Sequence, residues 1–98
     1  MKKNKKYVIV RARLAGIFAG TLESREGSVV VLSNARRLWY WSGAASLSQL
    51  AMEGTKNPTG CKFPCAVDAV ELLGAFEILD VTPVAEKSIR EVPIWALK

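Results

Sequence analysis

Two adjacent arginines followed by a run of aromatic residues form the part of the chain best suited to chemistry, the segment Arg36-Arg37-Leu38-Trp39-Tyr40-Trp41. Arginine offers a planar fork of N–H donors for phosphate or carboxylate, and tryptophan and tyrosine offer flat faces for stacking. A turn of small residues follows and leads to a helix-start signal at Ser46. Free backbone N–H groups at the start of a helix favour an anion. The combination predicts a site for a flat, negatively charged ligand such as a nucleotide, and it indicates no reaction.

The predicted ligand-binding residues are one amide, the two arginines, the three aromatic side chains and three small residues of the turn: Asn34, Arg36, Arg37, Trp39, Tyr40, Trp41, Ser42, Gly43 and Ser46. Each also has a purely structural interpretation, because aromatic residues on strands are usually core and Asn and Gly are typical of turns. The two roles are compatible. On a strand whose side chains alternate between faces, one set fills the core while Arg36 and Tyr40 point outward.

Catalysis finds little support in the residue types. The chain has no histidine, which excludes Ser-His and Cys-His nucleophilic pairs. No glycine-rich phosphate loop or dinucleotide fingerprint is present, and no spacing singles out a pair of carboxylates. Cys61 and Cys65 are too few to close a structural zinc site, so they are interpreted as reduced thiols acting as small apolar residues. We therefore expect a binding protein, not an enzyme, with no metal and no cofactor.

The size and charge of the chain narrow the class of ligand. A length of 98 residues predicts one domain, with residues 1–6 as a frayed basic start. The net charge is +5, and residues 1–45 carry +7 against −2 for the remainder. A basic half favours phosphorylated ligands or polyanions.

Without a secretory signal or an apolar stretch that could span a bilayer, the sequence predicts a cytoplasmic protein with no membrane partner.

The hydrophobic pattern predicts a small α+β fold, with five or six mostly antiparallel strands and two short helices. Alternation over 7–14, a run over 17–23 and a third over 29–32 predict an antiparallel meander. The segment 38–41 could extend the sheet. A helix is predicted over 46–53, with a start at Ser42 as the alternative, and a second over 83–91. The segment 76–81 predicts a strand, and 67–73 fits either a strand or a helix.

The apolar end of the chain predicts association. Ile94, Trp95 and Leu97 follow a helix-stopping proline, and a short chain has little surface on which to bury them. They either cross to a second copy or pack on their own sheet. We expect a homo-oligomer, with packing on the same chain as the alternative.

The segments 34–54 and 61–65 together resemble short phage-encoded proteins of unassigned function, and the resemblance extends over residues 7–92. It implies a viral origin and a host-cell setting, and it transfers no catalytic residues. Small phage proteins often counter bacterial defence, some of them by sequestering nucleotide signals. The expected function is therefore non-catalytic binding of a host immune nucleotide by a phage anti-defence sponge. The alternative is a phage factor that binds nucleic acid, or inhibits a protein, through the same basic aromatic face.

Overall fold

A computed structural model describes residues 5–97, and it confirms the predicted α+β class with a five-stranded antiparallel sheet and two α-helices. The strands are β1 (Tyr7–Ala12), β2 (Gly16–Glu26), β3 (Val29–Arg37), β4 (Val67–Leu72) and β5 (Ala75–Asp80). The helices are α1 (Leu47–Glu53) and α2 (Pro83–Glu91), and a single 3-10 turn covers Pro58–Gly60. None of the helices within residues 5–97 is long and apolar enough to cross a bilayer.

The sheet curls because its two edge strands follow each other in the chain. The strand order is β4-β3-β2-β1-β5. β1 to β4 therefore form a meander, and β5 pairs with the free side of β1. Only Leu73 and Gly74 separate β4 from β5. The Ala75 N–H also donates to the Ser28 carbonyl at 2.9 Å, which ties β5 to the β2–β3 turn. The two edges of the sheet therefore approach each other at this end.

Each face of the curled sheet has its own apolar core. The inner face is filled from all five strands and includes Val10, Phe18, Leu32, Leu72 and, partly buried, Ile78. The outer face of β1 and β2 packs beneath the helices and the loop between α1 and β4, a cluster that includes Ile9, Ala19, Leu50, Phe63 and Ile89. The residues of β1 from 7 to 10 are all buried, because this strand is covered on both faces. Such a layered arrangement gives a short chain two small cores.

The helices begin and end where the sequence predicts. The Ser46 hydroxyl accepts from the Gln49 N–H at 3.1 Å, while the Gln49 side chain accepts from the Ala45 N–H at 2.7 Å. Thr82 caps α2 in the same way, with a proline at the first helical position. These caps satisfy backbone donors that the first turn of a helix leaves free. They confirm Ser46 over Ser42 as the start of α1.

The structure also resolves the open choices along the chain. Residues 67–72 form a strand, not a helix. β2 and β3 are longer than predicted, so the hairpin turn narrows to Gly27 and Ser28. The segment 38–41 does not extend the sheet, and only Tyr40 forms an isolated bridge, with Lys62.

Both ends of the described part of the chain contact the rest of the domain. Of the predicted frayed start, residues 1–4 lie outside the described residues, whereas Lys5 and Lys6 form ion pairs with Glu23 and Asp80. At the other end, Ile94 forms a parallel bridge with Phe63. Ile94 and Leu97 remain well exposed, and the predicted association of chains stays a prediction.

Candidate functional site

Arg36 is buried, although the sequence predicts that it points outward. It is 5% exposed, and no other charged residue among residues 5–97 is buried. Its guanidinium donates to three backbone carbonyls, from Nε to Pro64 at 2.9 Å, from Nη1 to Ile89 at 2.8 Å and from Nη2 to Phe63 at 3.1 Å. Within the described part of the chain, no carboxylate lies within 4.0 Å of it. Arg36 therefore carries a buried charge that only neutral groups of the protein hold.

A β-bulge places Arg36 on the outer face of the sheet. The pairing of β2 with β3 slips by one residue, so that Gly20 lies opposite both Asn34 and Ala35. Asn34 has φ +51°, the left-handed region that asparagine tolerates better than most residues. Because one residue is inserted, the alternation of β3 changes phase: Ala35 packs in the inner core and Arg36 points beneath α2. A Cβ on Gly20 would lie 3.1 Å from the Ala35 Cα, so a larger residue there would press on the backbone of the bulge.

Arg36 lines an open cavity of about 200 Å³ together with six other residues. The lining residues are Tyr7, Asn34, Arg36, Ala66, Arg90, Val92 and Ile94. We call this space the anion cavity. The Arg90 guanidinium lies 4.7 Å from the centroid of the Tyr7 ring, and its Nε donates to Glu86 at 2.8 Å. Two arginines therefore line the cavity, and among residues 5–97 its lining includes no acidic residue and no cysteine.

The pKa directions of two lining groups show that burial dominates their surroundings. Burial lowers the pKa of Arg36, since desolvation disfavours its charged form. Burial also raises the pKa of Tyr7, while the neighbouring Arg90 and Arg36 act in the opposite direction. Three of the five guanidinium N–H donors of Arg36 are used by carbonyls, which leaves two for a ligand. Such an arrangement suits an oxyanion with several acceptor oxygens.

Three aromatic side chains and one lysine form an exposed surface that we call the aromatic patch: Trp39, Tyr40, Lys62 and Trp95. The indoles of Trp39 and Trp95 are nearly parallel, 6° apart, with ring centroids separated by 6.4 Å. The Lys62 ammonium lies 5.8 Å from the Tyr40 ring centroid and 5.6 Å from that of Trp95. Trp39, Tyr40 and Trp95 are 63%, 53% and 47% exposed. Trp41, by contrast, packs against the outer core.

The anion cavity and the aromatic patch share one stretch of backbone. The Phe63 carbonyl accepts both from Arg36 Nη2, at 3.1 Å, and from the Trp95 N–H, at 3.0 Å. Ile94 borders both the anion cavity and a second hollow that Trp95 lines.

Arg37 lies elsewhere, beside the turn between β1 and β2. Its Nη1 donates to the Ala15 carbonyl at 2.6 Å, and its guanidinium stands 4.3 Å from the centroid of the Phe18 ring. Phe18 belongs to the inner core, so Arg37 and Arg36 serve opposite faces. The sequence-predicted pair of arginines does not come together in one site.

The small residues of the predicted turn hold two loops together. The Ser42 carbonyl accepts from the Thr55 hydroxyl, and the Gly43 carbonyl accepts from the Lys56 N–H at 3.0 Å. Gly43 has φ +83°, and a Cβ there would lie 2.3 Å from the Asn57 nitrogen. Ser42 and Gly43 thus support the loop between α1 and β4, and Ser46 caps α1. None of these three residues lines the anion cavity.

The cysteines are both free, as predicted, but they occupy different environments. Cys61 is buried in the outer core, where its sulfur accepts from the Ser42 N–H at 3.4 Å. Cys65 is exposed and does not fill the core, contrary to the sequence interpretation. Among residues 5–97, no three cysteine, aspartate or glutamate side chains gather in a metal-binding arrangement.

Seven residues of the anion cavity and the aromatic patch were not predicted from the sequence: Tyr7, Lys62, Ala66, Arg90, Val92, Ile94 and Trp95. Tyr7 and Arg90 belong to distant elements that meet only because α2 packs on β1. Trp95 had a signal, since a tryptophan in an apolar segment after Pro93 must find a surface, but nothing in the sequence indicates that this surface is Trp39.

Comparison with known proteins identifies a family but no characterised relative. A family model described as "Domain of unknown function (DUF6948)" matches residues 5–89, most of the chain. No curated protein and no solved structure matches the chain at a significant level.

Proposed function

The chain belongs to the DUF6948 family, and we propose that it binds a nucleotide-type anion without converting it. The observation that carries this proposal is the buried guanidinium of Arg36, which faces a cavity with a second guanidinium, from Arg90, at its edge. Both groups come from different elements, β3 and α2. Their convergence supports an anion as the ligand.

A buried cation without an acidic partner is costly for a fold of this size. Removing a charge from water carries a penalty of several kcal/mol, and backbone carbonyls repay only a part of it. An oxyanion in the cavity would supply the missing negative charge and accept from the N–H groups that the carbonyls leave free. Arginine is especially suited to this role because its planar fork matches phosphate.

We propose sequestration as the biological use of this binding. The residues that line the anion cavity offer guanidinium, phenol, amide and apolar groups, which bind and orient but form no nucleophile–base pair. Binding without turnover is what a sponge for a host immune nucleotide needs. The resemblance of segments 34–54 and 61–65 to short phage-encoded proteins supports the anti-defence setting.

The test is recovery of the natural ligand. The purified chain is incubated with an extract of defence-activated bacteria, washed and denatured, and the released small molecules are identified by mass spectrometry. We expect an intact phosphorylated nucleotide, absent when Arg90→Ala replaces the wild type and retained by the matched control Arg37→Ala. Arg90 is exposed, so its variant is expected to keep the fold. Release of a cleaved product, or equal recovery from both variants, contradicts the proposal.

Nucleic acid is the second candidate, because the aromatic patch is exposed beside Lys62. Successive bases of a single strand stack on such surfaces. Salt separates the two ligands: affinity for a strand falls steeply with salt as counterions are released, and affinity for one small nucleotide falls less.

A further inference from the structure

The size of the anion cavity limits what it can enclose. Pockets that bury most of a drug-sized ligand have volumes of roughly 300–1,000 Å³, whereas this cavity measures about 200 Å³. A nucleotide bound here would have only its phosphate end inside the cavity, and its base would lie outside. The direction that the ligand takes across the rim decides which residues the base contacts.

Ile94 joins the cavity to an exposed aromatic side chain, whereas the Tyr7 ring that lines the cavity is buried. Ile94 lines the cavity and precedes Trp95, and the Phe63 carbonyl links the Trp95 backbone to the guanidinium of Arg36. The other residues that line the cavity have small, aliphatic or amide side chains, or already contact another side chain. The Arg90 guanidinium, for example, lies over the ring of Tyr7.

The aromatic patch has the properties of a stacking platform. Two nearly parallel indoles, from Trp39 and Trp95, remain 63% and 47% exposed despite their contact. The Lys62 ammonium near the Trp95 ring adds a positive charge, which favours both an electron-rich base and a second phosphate. Exposed tryptophans held in place by backbone hydrogen bonds, as Trp95 is by Phe63, are pre-organised for a flat partner.

We infer that the ligand is a nucleotide whose phosphate lies in the anion cavity and whose base stacks on the indole of Trp95 across Ile94. This inference rests on the proposed function, and it adds the position of the base and the requirement for one. Because every base has a flat face, stacking of this kind tolerates purines and pyrimidines alike. The ligand class is therefore base-bearing phosphates, and inorganic phosphates occupy only half of the site.

The experiment compares pyrophosphate with a purine and a pyrimidine nucleoside diphosphate by isothermal titration calorimetry on the full chain. We expect both nucleotides to bind at least about tenfold more tightly than pyrophosphate. Trp95→Ala should remove this advantage and leave pyrophosphate binding within about twofold, whereas Trp95→Phe should retain most of it. Leu97→Ala, which changes another exposed side chain of the same segment, is the control and should behave as wild type.

Tryptophan fluorescence gives an independent readout. A base that stacks on Trp95 should quench the emission, and pyrophosphate should not; the quenching should disappear in Trp95→Phe while its nucleotide affinity persists. If pyrophosphate and the nucleotides bind equally and neither quenches, the stacking inference is overturned and the anion site stands. If none of the three probes binds, the proposed function and this inference fall together.

Discussion

Arg36 and Arg37 are neighbours in the chain and have opposite surroundings. Arg36 is buried on the outer face beneath α2, and three carbonyls hold it at the floor of the anion cavity. Arg37 is exposed beside the turn between β1 and β2, where it covers the ring of Phe18. The fold therefore isolates the charge of Arg36 from water, whereas Arg37 stays at the surface and covers one side of the inner core.

The bulge at Asn34 is the cause of this difference. Without the inserted residue, the alternation set by Leu32 in the inner core would place Arg36 inward and Arg37 outward. In the apolar inner core the guanidinium of Arg36 would lack the carbonyl acceptors that it has on the outer face. The bulge therefore allows this strand to bury Arg36 where its N–H groups have partners. Bulges commonly re-aim a side chain next to a functional site, and the one here lines the cavity itself.

The largest expected effect is from Arg36→Ala. It should abolish detectable anion binding and lower the free energy of unfolding by about 2–4 kcal/mol, because three carbonyls lose a charged donor. Arg37→Ala should keep the affinity and cost about 1 kcal/mol or less, the value of an exposed cation–π contact. Calorimetric titration with pyrophosphate and urea unfolding measure the two quantities. Equal loss of affinity in both variants would show that the two arginines act alike.

This contrast also marks what the sequence could and could not predict. Local signals predicted β1, β2, β3 and β5, the caps at Ser46 and Thr82 and the fold class, because each depends on neighbouring residues. The same signals left 67–73 open between a strand and a helix. The burial of Arg36 depends on a one-residue slip against Gly20, which no local pattern reveals. Arg90 and Trp95 reach the site because α2 and the final segment pack against distant parts of the chain. Their positions in the site could therefore not be predicted from the sequence.

The second effect in size concerns the bulge itself. Asn34→Val introduces a β-branched residue at φ +51°, and we expect it to lower the free energy of unfolding by about 1–2 kcal/mol and to weaken anion binding by displacing Arg36. Asn34→Gly accepts the same backbone and should retain both properties. Urea unfolding and calorimetric titration with pyrophosphate measure the stability and the affinity of both variants. If Asn34→Gly also loses binding at full stability, the amide contacts the ligand directly.

A smaller effect should follow from neutralising the rim. Arg90→Gln should weaken anion binding by about 1–2 kcal/mol, the scale of one charge-assisted hydrogen bond, with almost no loss of stability. Lys87→Gln is a matched control, because Lys87 pairs with Glu91 on the same helix as Arg90 pairs with Glu86, but it does not line the anion cavity. Each such surface pair is worth about 0.3–0.5 kcal/mol. A parallel decrease in both variants would mean that only the general positive field matters.

The smallest effect is a pH dependence that reports on the cavity from within. Burial raises the pKa of Tyr7, so between pH 10 and the folded-state pKa the unfolded chain has lost a proton that the folded chain keeps. The free energy of unfolding should therefore fall as pH rises above about 10, the ordinary tyrosine pKa. Tyr7→Phe should remove that part of the decline, whereas Tyr40→Phe, which changes an exposed tyrosine, should not.

Negative charge near Tyr7 raises its pKa further, as Glu86 already does. An anion bound between Arg36 and Arg90 should therefore shift the tyrosinate absorbance titration of Tyr7 upward, and a titration that pyrophosphate leaves unmoved would place the anion away from this cavity.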